Sequence, residues 1–161
     1  MARLVGRDEV LRRKKRLESV ITEVAGATLS PELIAHYSRY LCVLVSGYAE
    51  QSIKELVTQY VRLRSEERIH RYVGGQLKRL RNIDTEKLRQ LIESFDPLWW
   101  QELSTNRQDE LAASDSVATI RNSVSHGGDS GITLMTVRQY FDQISLVLGD
   151  LCERLDPKSE I

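Results

Sequence analysis

A long run of apolar residues at helical spacing constrains the fold of this chain more than any other feature. The run advances in steps of three, four and seven residues, which is the periodicity of one face of an α-helix. Ser30 and Pro31 precede it, and these residues are typical of an N-cap and a first helical position. We predict one helix that ends near residue 64 and is roughly 45 Å long. The apolar stripe consists of Ile34, Leu41, Val45, Ala49, Ile53, Leu56, Tyr60 and Leu63.

The other segments with a regular pattern also have helical periodicity, and none has the alternating pattern of a strand. We therefore predict an all-α fold, a helical bundle with extra helices inserted before the final hairpin, in which residues 1–161 form one domain. The further predicted helices cover residues 7–25, a basic stretch interrupted at Gly74 and Gly75, a short helix capped by Thr85 that runs through Phe95, one that starts at Asp96 and Pro97, residues 107–126, and residues 134–155, with a tight loop at 127–131.

Composition excludes several classes of protein. The longest apolar run, residues 40–45, is far too short to span a bilayer, and the first ten residues lack the apolar stretch of a secretory signal. Cys42 and Cys152 both lie in apolar helical contexts and have no metal-ligand spacing. We expect both cysteines to be small buried hydrophobes in a reducing cytoplasm, and we expect neither a metal nor a cofactor.

Charge is unevenly distributed although the chain has no net charge. The net charge is +5 over residues 1–16, +5 over residues 62–89 and −7 over residues 90–161. RNA would be attracted to the first half and repelled by much of the second half. The basic run at residues 12–16 suits RNA phosphates, but a solvated helix face explains it equally well.

The segment RNSVSHGG at residues 121–128 is the most specific feature of the chain. Its ordinary explanation is a helix that ends in His126, stabilised by the helix dipole, with Gly127 as the residue after the cap. Spacing alone does not decide between this explanation and a functional one, because Arg64 and His70 form a similar pair in a highly charged stretch. Arg121 differs from Arg64 because it lies beside an apolar stripe that partly buries its stem.

An arginine and a histidine at this spacing can carry out RNA cleavage without a metal. A neutral histidine is a good general base for a ribose 2′-hydroxyl, and the arginine fork matches a phosphate that gains charge. Asn122 adds a polar group beside the guanidinium. Positions five apart on an ideal helix diverge by about 140°, so Arg121 and His126 share a site only if the last turn unwinds or a second subunit completes the site.

The stretch DSVATIRNSVSHGGDSG, followed by an amphipathic helix, resembles a HEPN domain. That superfamily is marked by an arginine, a polar residue that is often asparagine, and a histidine that closes a gap of four to six residues after the arginine. The stretch YLCVLVSGYAEQSIKELVTQYV resembles the long helix of the RiboL-PSP-type branch, which often carries a glutamate at the position of Glu50. Residues 33–64 and 107–155 resemble the family well, whereas the first 30 residues and residues 66–105 resemble it poorly.

The resemblance implies a helical homodimer whose two motifs face each other, and often a metal-independent endoribonuclease that acts as a toxin or antiviral effector. It assigns catalysis to Arg121 and His126, phosphate binding or orientation to Asn122, and a weaker assisting role to Glu50. RNA is the implied substrate, and an antitoxin or a nucleotidyltransferase is an implied partner. The alternative is a non-catalytic helical module that binds a nucleotide or another protein.

Overall fold

The computed structural model describes residues 2–127 and 131–157, and every regular element within these two ranges is an α-helix. The predicted all-α bundle is therefore confirmed. The predicted loop at 127–131 contains residues 128–130, which lie outside the described residues. The helices are α1 (Gly6–Gly26), α2 (Pro31–Arg64), α3 (Glu67–Arg79), α4 (Thr85–Glu93), α5 (Pro97–Asn106), α6 (Gln108–Ser125) and α7 (Leu134–Leu155).

Helix α2 is the central element and packs against α1, α3, α6 and α7. It begins as predicted, because the Ser30 hydroxyl accepts a hydrogen bond from the Leu33 N–H and Pro31 occupies the first turn. The middle of the predicted stripe is buried, but Leu63 is 62% exposed. The stripe therefore stops packing before the helix ends. Helix α7 lies along α2 and completes the core with Val137, Phe141, Ile144, Leu148, Leu151 and Leu155.

The predicted interruption at Gly74 and Gly75 is wrong, because α3 continues through both residues. Glycine lowers helix propensity by about 1 kcal/mol but keeps its N–H, so the ladder of helical hydrogen bonds is not broken. The predicted N-cap of the next helix is also shifted by one residue. Asp84 is the cap and accepts from the Lys87 N–H, whereas the Thr85 hydroxyl donates to the Leu111 carbonyl. Thr85 thus ties α4 to α6.

Cys42 and Cys152 are both buried, as predicted. Burial raises the pKa of each thiol to about 11, which keeps both thiols protonated at neutral pH. Among the described helices, none is both long enough and apolar enough to cross a bilayer.

Candidate active site

Arg121 lies on the side of α6 that faces α2. Val117, one turn earlier, is buried in the core and fixes that face of α6 against its neighbours. The Arg121 Nη1 donates to Glu50 Oε2 at 3.1 Å and to Ser46 Oγ at 3.5 Å. The Arg121 side chain nevertheless stays 31% exposed. Its guanidinium is therefore held at one end and open to solvent at the other.

Glu50 is the buried anion at the centre of this cluster. The residue is only 7% exposed, and its two carboxylate oxygens contact three partners. Oε1 accepts from Lys54 Nζ at 3.1 Å, while Oε2 accepts from the Asn82 N–H at 2.7 Å and from Arg121. Burial acts to raise the pKa of Glu50, but the hydrogen bond from Asn82 and the contacts with Lys54 and Arg121 lower it below its ordinary value. Glu50 is therefore a fixed carboxylate that orients Arg121.

Asn82 joins the loop between α3 and α4 to the same cluster. Its backbone lies in the left-handed region with φ of 51°, a conformation that asparagine tolerates better than most residues. The side-chain Nδ2 donates to the Ala118 carbonyl at 3.3 Å and to Asn122 Oδ1 at 2.9 Å. One loop residue thus binds Glu50 through its backbone and α6 through its side chain.

Asn82 was not predicted from the sequence, although a signal for it was present. An asparagine two residues before an aspartate N-cap marks a short connection between helices, where a left-handed residue is common. This signal locates a turn, but it does not reveal which helices the turn contacts. Ser46 and Lys54 were not identified either. They lie one turn before and one turn after Glu50 on α2, so they follow from its helical spacing once Glu50 is chosen.

Asn122 is exposed on α6 and is oriented by the amide of Asn82. His126 is the C-cap of α6 and is also exposed. Its backbone N–H donates to the carbonyls of Asn122 and Ser123, and Gly127 follows with φ of 76°. The predicted role of Gly127 at the helix end is confirmed. The last turn of α6 keeps its helical hydrogen bonds as far as His126, so it does not unwind to bring His126 alongside Arg121.

The structure therefore brings three of the four predicted site residues into one hydrogen-bonded cluster and leaves the fourth apart. Glu50, Arg121 and Asn122 are connected through Asn82, whereas the His126 ring makes no hydrogen bond to any residue in the described ranges. Within those same ranges, Nε and Nη2 of Arg121 also have no protein acceptor. In a planar guanidinium Nε and Nη2 carry two parallel N–H donors, and two parallel donors suit a phosphate.

A family model described as RiboL-PSP-HEPN matches residues 8–156. The chain belongs to this HEPN family. The match includes most of the first 30 residues and the whole of residues 66–105, where the resemblance in sequence is weak. No curated protein and no solved structure matches the chain.

Membership in the HEPN family supports a ribonuclease-type or nucleotide-binding function. HEPN domains are often ribonucleases, and they often bind RNA and dimerise. Across residues 2–127 and 131–157, no group of three His, Cys, Asp or Glu side chains is arranged to hold a metal ion.

Proposed function

We propose that this HEPN domain is a metal-independent endoribonuclease in which His126 is the general base and Arg121 stabilises the phosphate. The observation that carries the proposal is the set of contacts made by the Arg121 guanidinium. A buried carboxylate holds one end of its guanidinium, and the other end is free of protein acceptors among the described residues. A preorganised donor of this kind needs little rearrangement when charge develops on a phosphate.

The proposed reaction is an internal transfer at the RNA phosphate. His126 removes the proton from a ribose 2′-hydroxyl, and the 2′-oxygen attacks the adjacent phosphorus while Arg121 neutralises the phosphate oxygens. The bond from phosphorus to the 5′-oxygen breaks, and that oxygen takes a proton. The products are a 2′,3′-cyclic phosphate and a 5′-hydroxyl. Asn122, oriented by Asn82, contributes a further polar contact to the phosphate or the ribose.

The direct test is incubation of RNA with the wild type and with His126→Ala in the presence of EDTA. We expect the wild type to cleave and the variant to be strongly impaired, with 2′,3′-cyclic phosphate ends detected by mass spectrometry. Loss of wild-type cleavage in EDTA, or products with 3′-hydroxyl ends, would refute the mechanism.

We also propose that the site is completed in a homodimer formed around the hairpin of residues 107–155. The support is that α6 stays helical up to His126, which leaves Arg121 and His126 on diverging directions of one chain. Light scattering should show a dimer. A monomer of full activity would contradict this arrangement.

Mixing two inactive variants tests the dimer more sharply. If Arg121 of one protomer acts with the histidine of the other, Arg121→Gln and His126→Ala protomers together regain one intact site per mixed dimer. An equal mixture with random pairing should then recover about one quarter of wild-type activity. No recovery, despite subunit exchange shown by labelled protomers, would mean that each chain uses its own pair.

A non-catalytic nucleotide-binding or interaction module is the second candidate, and one observation favours it. The pairing of Arg121 with a buried glutamate is also what a purely structural ion pair looks like. This candidate, in which Arg121 and His126 stabilise a dimer or bind a nucleotide, predicts nucleotide binding in calorimetry without cleavage of any RNA.

For the cellular role, the resemblance supports a toxin or antiviral effector that is restrained by an antitoxin or by a nucleotidyltransferase. Expression of the wild type should then arrest growth, and expression of His126→Ala should not. Equal growth of the two strains at equal protein level would argue against a toxin.

A further inference from the structure

Helix α3 is attached to the bundle by a small part of its surface. Leu77 is the one buried residue among its thirteen positions, and its packing partner in the bundle is α2. Exposed apolar groups occur on it as well, since Tyr72 is 67% exposed. A helix this polar and this exposed contributes little to the core.

The outward face of α3 is basic and carries one aromatic ring. At about 100° per residue, Arg68, Tyr72 and Arg79 lie on the side opposite Leu77, and Arg71 and Lys78 flank them. All five side chains are exposed. Residues 68–83 contain five arginine or lysine residues and no aspartate or glutamate. This set, Arg68, Arg71, Tyr72, Lys78 and Arg79, is called the α3 basic face below.

Three of its cations have no counter-charge among the residues that the structure describes. Arg71 pairs with Glu67, and both of these side chains are solvated. Arg68, Lys78 and Arg79 form no ion pair with any residue of the described chain. The basic run on α1 differs, because both Arg12 and Arg13 pair there with Glu9. Glu9 therefore neutralises part of the α1 run, whereas on the α3 basic face only Arg71 has an acidic partner among the described residues.

A short loop connects the C-terminal end of α3 to the candidate active site. The loop that follows α3 passes through Arg81, which is exposed, to Asn82, whose side chain binds Asn122. Lys87 fastens this loop by donating to the carbonyls of Arg81 and Asn82 at 2.9 and 3.3 Å. Arg79, at the C-terminal end of this helix of about 20 Å, is therefore three residues from Asn82 in the chain, so a polyanion lying along α3 would end beside the loop that contacts the Arg121 cluster.

We propose that the α3 basic face binds single-stranded RNA and guides it to the Arg121 and His126 site. Arg68, Lys78 and Arg79 contact phosphates, and Tyr72 stacks on a base, which requires the base to be unpaired. An acidic protein surface would match the charges but would gain nothing specific from the stacking of Tyr72. The proposal rests on the proposed ribonuclease only for what happens after the RNA arrives.

Binding is measured in a His126→Ala background, which keeps the RNA intact, by fluorescence anisotropy with a single strand of about 12 nucleotides. Lys78→Gln with Arg79→Gln should weaken binding at least tenfold. It should also flatten the dependence of log K on log salt by about 1.4, the value for two phosphate contacts on a single strand. The matched control is Lys15→Gln with Arg16→Gln on α1, an exposed pair of the same types and charge, which should change binding less than twofold.

Substitutions of Tyr72 distinguish the contribution of base stacking to RNA binding from that of charge. Tyr72→Ala should weaken binding roughly tenfold with an unchanged salt slope, and Tyr72→Phe should restore it. A duplex of the same sequence should be insensitive to Tyr72→Ala. Equal losses for the α1 and α3 pairs, or insensitivity to both, would overturn the proposal. Tight salt-dependent binding of duplex but not single strand would overturn it as well.

Cleavage assays with otherwise wild-type protein distinguish this proposal from the proposed function. Lys78→Gln with Arg79→Gln should raise KM for the long strand while leaving cleavage of a dinucleoside phosphate, too short to reach α3, unchanged. If the wild type cleaves neither substrate but the α3 pair still controls RNA binding, the ribonuclease proposal fails and the α3 surface stands. If both substrates are cleaved and the α3 pair changes neither KM nor binding, the α3 proposal fails alone.

Discussion

The pair Arg64 and His70 and the pair Arg121 and His126 are six and five positions apart in the sequence but lie in different surroundings in the structure. Arg64 is the last residue of α2, and its exposed guanidinium lies over the Tyr60 ring at 4.1 Å from the ring centre. The chain leaves the helix at Ser65, so His70 belongs to α3. Arg121 and His126, by contrast, are connected by one unbroken helix.

The second difference lies in the charge that each arginine meets. Arg64 donates to the carbonyl of Tyr60, one turn earlier in its own helix. This contact keeps the guanidinium on its own helix. Arg121 meets the buried carboxylate of Glu50, which has its own hydrogen bond from Asn82. A recurring spacing becomes a plausible site only where a buried counter-charge fixes the direction of the arginine. This contrast can be tested at the histidines, the arginines, the carboxylates and the loop residue Asn82.

The largest effect is expected for the two histidines. His126→Ala should reduce RNA cleavage by roughly 10²- to 10⁴-fold, the usual contribution of a positioned base, and His70→Ala should be nearly neutral. Cleavage rates are measured beside circular dichroism, which should show both variants folded. If His70→Ala abolishes cleavage and His126→Ala spares it, the wrong pair has been chosen.

The arginines should differ in the same direction by a smaller factor. Arg121→Lys should reduce kcat by roughly 10- to 100-fold, because one ammonium can pair with Glu50 but cannot also present a fork to the phosphate. Arg64→Lys serves as the matched control and should leave kcat unchanged. Equal kcat for Arg121→Lys and the wild type would mean that Arg121 supplies charge without geometry.

Substitutions of Glu50 and Glu67 test how much a buried and an exposed carboxylate contribute to the free energy of unfolding. Glu50→Gln should lower the free energy of unfolding by about 2 kcal/mol, because Arg121 and Lys54 lose a buried partner. The control is Glu67→Gln next to the other pair. It should change stability by less than about 0.5 kcal/mol, since the Glu67 side chain is 81% exposed. Urea denaturation at neutral pH measures the free energy of unfolding of both variants. A similar loss of stability in the two would mean that the buried and the exposed ion pair do not differ.

The stability difference between the wild type and Glu50→Gln should also depend on pH. The folded state lowers the pKa of Glu50, so its contribution is fully present above the unfolded pKa of about 4.3 and is lost as pH falls through the lower folded value. The stability gap between the wild type and Glu50→Gln should therefore narrow below about pH 4. A gap that widens with acid would show that Glu50 is protonated in the folded protein.

The smallest effect concerns Asn82, which has no counterpart near Arg64. Asn82→Ala and Asn82→Gly both remove the side-chain hydrogen bonds, but only glycine adopts φ of 51° without strain. Asn82→Ala should therefore be less stable than Asn82→Gly by about 1 kcal/mol in thermal unfolding. Equal stability of the two variants would mean that the loop rearranges when the asparagine is lost.

Local patterns were sufficient for most of the helices. The start of α2 followed from Ser30 and Pro31, and α7 followed from its apolar spacing, because these signals act within one or two turns of the chain. The continuity of α3 through its two glycines was not predicted. The low helix propensity of the two glycines is opposed by the packing of Leu77 against the bundle. That packing involves residues distant in the sequence, so the local pattern does not reveal it.

The residues Arg121, Asn122, His126 and Glu50 could be named from the motif and the resemblance, and their catalytic roles stay predictions. What the chain order could not show is that Glu50 lies 3.1 Å from an arginine 71 positions away and that a loop residue, Asn82, links both helices. Helical periodicity depends on residues that are close together in the chain, so most of the helices can be predicted from the sequence. Hydrogen bonds between distant residues depend on how those helices pack, and only the tertiary structure decides them.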